Sequence, residues 1–483
     1  MQPSTYQQAI FDFVATGHGN AIINAVAGSG KTTTVVEALK LTQGDAVFLA
    51  FNKAIAEELK ARVPSHVQAR TFHSLCYGPV TRALGVREVN TNKLRNLVEL
   101  TFEDEERRLY GAFACKLVGL ARQEGVHALV PDTEGVWADI VAKHNIELDS
   151  DDATIARGIE LARKLLEMSN GMLDMDFDDM LYFAVLKGIK LPTFDWVFVD
   201  EAQDTNAIQR AILRKILRPR ARLVAVGDPA QAIYGFRGAD GNSLQLIREE
   251  FKAAELPLSV SYRCAKSIVD HARQYVPIIQ AHEHAVDGVV RSMGEEWNHG
   301  IFSADDLVVC RNTKPLVALA YSLLRERIPC HIMGRDIGEG LKALVRRMKA
   351  RDIDALQLRL EAYKTREMEK AIAKGEEALA AAIEDKVDSL LVVVGGLPEN
   401  ARTVAELLRV LDEMFSDAGR RNLTLATIHK SKGLEADHVF WLNPSVCPSK
   451  WAKQPWQQEQ ERNLMYVAIT RAKSKLTKIE LPR

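Results

Sequence analysis

"AIINAVAGSGKTTT", residues 21–34, sets a short apolar run directly before a glycine-bracketed turn, a lysine and three threonines. The run Ala21–Val26 reads as a buried strand, and the pattern from Lys31 to about Leu41 reads as a helix. A second apolar strand, "AVFLAF" at 46–51, follows at once. Strand, loop, helix and strand in that order are the repeating unit of a parallel sheet, so the expected fold class is α/β.

The loop carries a specific chemistry. Gly28 and Gly30 let backbone N–H groups converge on phosphate oxygens at a helix N-terminus, with Ala27, Ser29 and Thr33 beside them. Lys31 offers a point charge to the β- and γ-phosphates, and Thr32 a hydroxyl to Mg²⁺. Ala25 stands where the usual pattern begins with glycine.

Hydrolysis also requires carboxylates, one for the metal and one to deprotonate or orient water. "WVFVDEAQD" (196–204) presents both at the end of a buried strand: Asp200 for Mg²⁺ and Glu201 as general base. A further strand, "RLVAVG" (222–227), also runs into an acidic residue. Apolar strands that deliver charge at their C-terminal ends are how an open α/β sheet builds a site.

A second α/β unit is read from "DLVVC" (306–310), a helix over 315–326, "CHIM" (330–333), "LTLATI" (423–428), "HVFWL" (438–442) and a closing helix over about 459–475. Residues 78–175 and 341–420 interrupt the two units with helix-forming, charge-rich sequence. The expected organisation is a first lobe of 1–77 plus 176–258 and a second of 259–340 plus 421–483. Each carries a helical insertion. The charge of 341–420 reads first as a solvated helix face, and Asp178 and Asp179 in "DFDDML" (176–181) read as structural.

Composition narrows the classes. The chain has 483 residues, 47% hydrophobic and 26% charged, the balance of a globular protein of several domains. Its 63 basic and 64 acidic residues leave a net charge of −1, so a nucleic acid would have to be held by a local groove. Six scattered cysteines show neither a CxxC pair nor zinc-site spacing, and read as reduced thiols of a cytoplasmic protein. No signal segment or membrane span is expected.

The ordered set "AGSGKT", "DEAQD", "VGDPAQAIYGFRGAD" (226–240), "SYR" (261–263), "TIHKSKGLE" (427–435) and "NLMYVAITRAK" (463–473) resembles the superfamily 1 DNA helicases of the UvrD/Rep/PcrA type over nearly the whole chain. The resemblance implies two RecA-like motor lobes with ATP between them, Mg²⁺ as cofactor, and translocation on single-stranded DNA with 3′→5′ polarity. "KSKGLE" carries the polarity, because the opposite branch tends to have Gln in place of Lys432 and no Glu two residues past the glycine.

Residue roles follow from the same resemblance. Gln231 would sense the γ-phosphate, Arg263 and Arg471 would act as arginine fingers, and Glu435 would reach the ribose. Gln7 or Gln8 would read adenine. Thr33 stands where the family often has Arg, so adenine is expected to rest mainly on Tyr262. DNA contacts would come from Phe51, Asn52, Lys53, Thr71, His73, Tyr234, Phe236, Arg237, Arg311, Thr427 and His429. Single-stranded DNA and its junctions with duplex are the expected partners of a monomer, bacterial or phage-encoded. The short second insertion and the 12 residues after Arg471 suggest a minimal motor. A translocase that strips proteins from DNA, a non-motor nucleotide-gated module and an RNA substrate are the alternatives.

Overall fold

In the computed structural model, residues 3–86, 88–144, 146, 148, 153–233, 242–373, 377–416 and 422–481 are described. They form two compact units, 1–259 and 260–483.

The first unit is built on six parallel strands: β1 (Ala21–Ala25), β2 (Ala46–Leu49), β3 (Val67–Arg70), β4 (Phe194–Val199), β5 (Leu217–Gly227) and β6 (Ala254–Leu258). Their order is β3-β2-β4-β5-β1-β6. Register is set by pairs such as Ile22↔Ala225 and Phe48↔Phe198. β1, β2 and β4 are nearly continuous apolar runs because both faces of the sheet are covered. One face packs on α1 (Thr5–Thr16), α2 (Lys31–Leu39) and α3 (Lys53–Lys60) through Ile10, Val36, Leu39 and Leu59. The edge strand β6 contains Pro257, a residue confined to sheet edges because it cannot donate to a ladder.

On the other face lie α4 (Phe72–Leu84), α5 (Lys93–Thr101), α6 (Asp104–Glu124), α7 (Glu134–His144), α8 (Ile155–Gly171), α9 (Phe177–Leu186), α10 (Ala207–Ile216) and α11 (Ser243–Glu250). Trp137, Leu117 and Leu165 of this helical segment share one core with Val47, Val197 and Leu223 of the sheet. A buried charge network joins α5, α6 and α9: Lys93 Nζ to Asp179 at 2.7 Å, and Arg122 to Asp176 at 2.7 Å and to Asp179 at 3.1 Å. Asp176 and Asp179 also form the capping box that starts α9. The structural reading of Asp179 follows from these contacts.

The second unit opens with a two-stranded parallel pair, β7 (Val260–Ser261) and β8 (Gln280–Ala281), flanking α12 (Lys266–Ala272). Its main sheet contains β9 (Val289–Gly294), β10 (Leu307–Cys310), β11 (Cys330–Ile332), β12 (Leu423–Thr427), β13 (Ala436–Leu442) and β14 (Ala472–Ile479). All pair in parallel, in the order β11-β12-β10-β13-β14-β9. Helices α13 (Thr313–Arg325), α14 (Arg335–Arg347), α15 (Ile353–Ala373), α16 (Glu377–Gly396) and α17 (Val404–Met414) cover one face, and α18 (Pro455–Thr470) packs with α12 beside β14. Leu360, Leu390 and Val393 of the charge-rich segment are fully buried against Val308 and Leu425. Each such side chain contributes about 1.5–3 kcal/mol, so α15 and α16 are held by the sheet's own core.

One element differs from the sequence reading. The closing helix stops at Thr470, and residues 472–479, partly assigned to that helix, form β14. Lysines at 473, 475 and 478 dilute its apolar pattern. Ladders to β13 and β9 on its two sides override the local signal.

Candidate functional site

Three adjacent strands of the first sheet, β4, β5 and β1, end side by side and project the motif residues from one edge. After β1, Gly28 and Gly30 adopt left-handed φ values of 71° and 73°, which a side chain would make costly. Gly30 is the N-cap of α2 and brings no side chain to the first N–H groups of the helix, an arrangement that suits an anion. Lys31 follows, its Nζ 3.3 Å from Glu201 Oε1. Burial pulls the Lys31 ammonium down, but Glu201, Asp228 and Asp200 outweigh it and hold the group above its ordinary range.

Glu201, just past β4, has φ 49° and ψ 41°. A non-glycine residue held in the left-handed region costs of order 1–3 kcal/mol and marks a position the surrounding structure must impose. Gln203 holds the Glu201 side chain. Its side-chain amide donates to Glu201 Oε2, while its Oε1 accepts the Asp228 N–H at 3.0 Å. Asp228, at the end of β5, in turn accepts from Gln231 Nε2 at 2.7 Å. Burial raises the Asp228 carboxyl, with Lys31 and Gln231 opposing. Glu201, Gln203, Asp228 and Gln231 thus form one continuous chain from the expected general base to the expected phosphate sensor. Neither Gln203 nor Asp228 carries a role that is legible in sequence. The nearest signal was an amide between two acidic residues in "DEAQD".

Asp200 is buried, and its Oδ1 accepts the Glu201 N–H at 2.9 Å. Among the described residues no group of three or more His, Cys, Asp or Glu could hold a metal by itself. Two hard oxygens, the Thr32 hydroxyl next to Lys31 in sequence and the Asp200 carboxylate whose charge acts on Lys31, fit Mg²⁺, which binds one or two protein ligands and completes its shell with phosphate and water. Gln7 lies at the phosphate loop, its Nε2 donating to Thr34 Oγ1 at 3.0 Å. Gln8 is exposed and bonds Asp12. Thr33 is exposed on the first turn of α2.

The first-unit DNA candidates converge in part. Phe51 is 50% exposed and borders a cavity of about 180 Å³ that His73, Arg122, Asp178, Asn206 and Gln209 also line. Burial lowers the His73 pKa and so favours the neutral ring. It meets the exposed Phe177 edge-on at 6.4 Å. Burial and then Asp176 raise Asp178 to about 6, against Arg122. Asn52 and Thr71 are helix N-caps, bonding Ile55 N–H and Ser74 N–H, and Lys53 is exposed on the first turn of α3. Tyr234, Phe236 and Arg237 lie outside the described residues.

In the second unit the candidates separate onto opposite sheet edges. Thr427 and Arg311 lie at the C-terminal ends of neighbouring β12 and β10, next to the paired residues Cys310↔Thr427. Glu435 and Arg471 immediately precede Ala436 and Ala472, which pair at the N-terminal ends of β13 and β14. The segment 428–435 therefore crosses the full height of the sheet, turning at Gly433 (φ 93°). Thr427 Oγ1 accepts the Lys430 N–H, and Lys430 Nζ reaches Asp336 at 2.8 Å, while His429 is half-buried in the same turn. Arg311, expected at DNA, is gripped by Glu461 through Nε at 2.8 Å and Nη2 at 2.6 Å. Arg471 is 2% exposed and donates to the carbonyls of Val467 and Leu434, each at 3.1 Å. Arg263 pairs with Glu435 at 2.6 Å, and the Tyr262 ring rests against His282 with centroids 4.8 Å apart.

Residues 6–252 match the family model of the UvrD/REP helicase N-terminal domain, and residues 359–480 match that of the UvrD-like helicase C-terminal domain. The chain belongs to the UvrD/REP helicase family. Its two parallel sheets are those of the family's RecA-like motor lobes.

Similar proteins agree with that membership. The F-box DNA helicase protein 1 of Schizosaccharomyces pombe is 24% identical over 94% of this chain and 55% of its own length. The DNA helicase II of Haemophilus influenzae is 23% identical over 96% of this chain and 82% of its own length. The ATP-dependent DNA helicase PcrA of Bacillus subtilis is 24% identical over 54% and 38%. This UvrD/REP-family chain thus spans about half the length of the fission-yeast relative. No helix among its described residues is long and apolar enough to cross a membrane.

Proposed function

We propose that this UvrD-like protein is an ATP-dependent DNA helicase that translocates 3′→5′ on single-stranded DNA and unwinds duplex in replication, recombination or repair. The observation that carries the reading is the Lys31–Glu201 pair beside Asp200, because it joins a phosphate-binding lysine to a strained, aimed carboxylate. The γ-phosphate of ATP competes for Lys31. Glu201, released from that pair, accepts a proton from water as the water oxygen attacks phosphorus and the β–γ bridging P–O bond breaks.

Thr32 and Asp200 would hold Mg²⁺, which supplies charge neutralisation for the phosphates. Arg263 and Arg471 from the second unit would stabilise the transferring phosphoryl group, and the ribose would engage Glu435. Gln7 and Tyr262 would meet the adenine. Phe51, with the cavity beside it, offers a stacking platform for bases, a contact worth about 1–3 kcal/mol. The chain Glu201–Gln203–Asp228–Gln231 then supports coupling between hydrolysis and the DNA-contacting segment that follows Gln231. A monomer acting on single-strand/duplex junctions in the cytoplasm completes the reading.

The test is strand displacement with ATP and Mg²⁺ on duplexes carrying a 3′ or a 5′ single-stranded tail. Unwinding of the 3′-tailed substrate alone is expected. Selective unwinding of the 5′-tailed substrate overturns the polarity. Removal of a bound protein block without unwinding identifies a strand-clearing translocase instead.

A further inference from the structure

Arg263, assigned above to the γ-phosphate, is already occupied. Its Nε stands 2.6 Å from Glu435 Oε2 and its Nη1 donates to the Thr470 carbonyl at 3.3 Å. The other oxygen of the same carboxylate, Oε1, faces Lys473 Nζ at 3.0 Å. All three side chains are partly exposed, at 21% for Arg263, 39% for Glu435 and 40% for Lys473, so the triad is open to an incoming ligand. Arg471 grips the neighbouring carbonyl of Leu434. Both arginines are therefore docked on the two residues, Leu434 and Glu435, that end the "TIHKSKGLE" stretch.

We infer that Glu435 is a dock that holds Arg263 away from reaction until a nucleotide ribose claims the carboxylate, and that Lys473 is the positioning residue that keeps this dock releasable. The inference rests on the proposed ATP hydrolysis and deepens it.

The physical reason lies in sharing. Two cations on one carboxylate repel each other, so each is held less tightly than it would be alone. Lys473 thereby weakens the grip of Glu435 on Arg263 and keeps the carboxylate compensated once the arginine departs. Burial pushes Glu435 up, and Arg263 and Lys473 together hold it below the usual carboxylate range, so the dock stays ionised at neutral pH. A ribose hydroxyl hydrogen-bonded to Glu435 competes for the oxygen that Arg263 occupies. Arrival of substrate and release of the finger are then one event.

Four proteins test this with single-stranded DNA present: Lys473→Met, Lys473→Arg, Glu435→Gln and the Glu435→Gln/Lys473→Met double variant. Lys473→Met is expected to lower kcat about fivefold, the upper range of a partly exposed ion pair, with little change in KM. Lys473→Arg restores kcat. Glu435→Gln raises KM, and in that background Lys473→Met leaves kcat unchanged, because there is no longer a charged dock to tighten. A loss of kcat equal in both backgrounds, or none in either, overturns the inference.

A second measurement does not depend on turnover. In a ¹⁵N spectrum of the arginine side chains without nucleotide, the Arg263 Nε–H resonance is expected to shift in Glu435→Gln and, to a smaller extent, in Lys473→Met. Identical Arg263 resonances in wild type and Glu435→Gln also overturn the inference. Absence of DNA-stimulated ATP hydrolysis in the wild type would instead refute the proposed function, with the spectrum still deciding the dock.

Discussion

Lys31 and Glu201, 170 residues apart in sequence, meet at 3.3 Å, and the glutamate does so from a left-handed backbone conformation. The pair holds the proposed general base on the cation proposed to meet the γ-phosphate.

Removing the base's charge while keeping its shape separates binding from chemistry. Glu201→Gln is expected to lower kcat for DNA-stimulated ATP hydrolysis by about 10²–10⁴-fold, the usual contribution of general base catalysis. Binding of a non-hydrolysable ATP analogue, measured by titration calorimetry, should persist.

Gln203 links Glu201 to Asp228, and Gly227 leaves room for it: a Cβ at 227 would stand 2.5 Å from Gln203 Oε1. Gln203→Ala and Gly227→Ala should each cut kcat roughly tenfold, equivalent to about 1.4 kcal/mol of lost transition-state stabilisation, with KM for ATP nearly constant. A rise in KM alone would show that the amide serves binding.

Gln7 bonds the phosphate-loop helix, whereas the Gln8 amide bonds Asp12 of its own helix. Gln7→Ala should raise KM for ATP about tenfold, as expected for losing a hydrogen bond or two to the base, and Gln8→Ala should leave it within about twofold. Steady-state kinetics over a range of ATP concentrations distinguishes them.

Asp178 borders the cavity beside Phe51 and is raised to about 6, chiefly by burial. Its folded pKa lies above its unfolded value, so the folded state binds the proton more tightly. The associated stability is present at acidic pH and lost as pH rises through about 6. Asp178→Asn should therefore raise the thermal midpoint at pH 7.5 and leave it little changed at pH 4. Single-stranded DNA affinity, read by anisotropy, should strengthen from pH 7.5 to pH 5.5 as this negative charge is neutralised. Asp178→Asn should flatten that dependence. Phe51→Ala should weaken binding at either pH by about 1–3 kcal/mol.

Lys93 and Asp179 are fully buried and paired at 2.7 Å. Burial lowers the lysine and raises the aspartate, so each needs the other to remain charged. Lys93→Met should destabilise the first unit by about 3 kcal/mol in urea unfolding, because it leaves buried charge less compensated. Lys93→Met/Asp179→Leu should cost less than Lys93→Met alone, because the buried aspartate left unpaired by the single change is removed while Arg122 keeps its pair with Asp176.

Much of the fold was legible because buried parallel strands are apolar throughout, as in "WVFV" and "DLVVC", and because turn glycines have one conformational use. β14 was not, since its lysines mask a strand held by two neighbours. β6 was not either, because Pro257 is tolerated only at an edge that sequence does not reveal. Among site residues, Gln203 and Asp228 escaped for a different reason. An amide and an acid acquire a role only from what they touch.

The amino-acid sequence by itself determined which chemistries are present: a phosphate loop, a carboxylate pair on a strand end, and two arginines set in recognisable motifs. Backbone geometry at glycine and the length of apolar runs are local properties, and local properties are readable along a chain. Only the tertiary structure decided that Gln7 rather than Gln8 lies at the loop, that Arg311 is gripped by Glu461, and that 428–435 carries Thr427 and Glu435 to opposite edges of one sheet. Those outcomes depend on which strands pair and in what order, and pairing is fixed by burial summed over the whole unit rather than by any stretch within it.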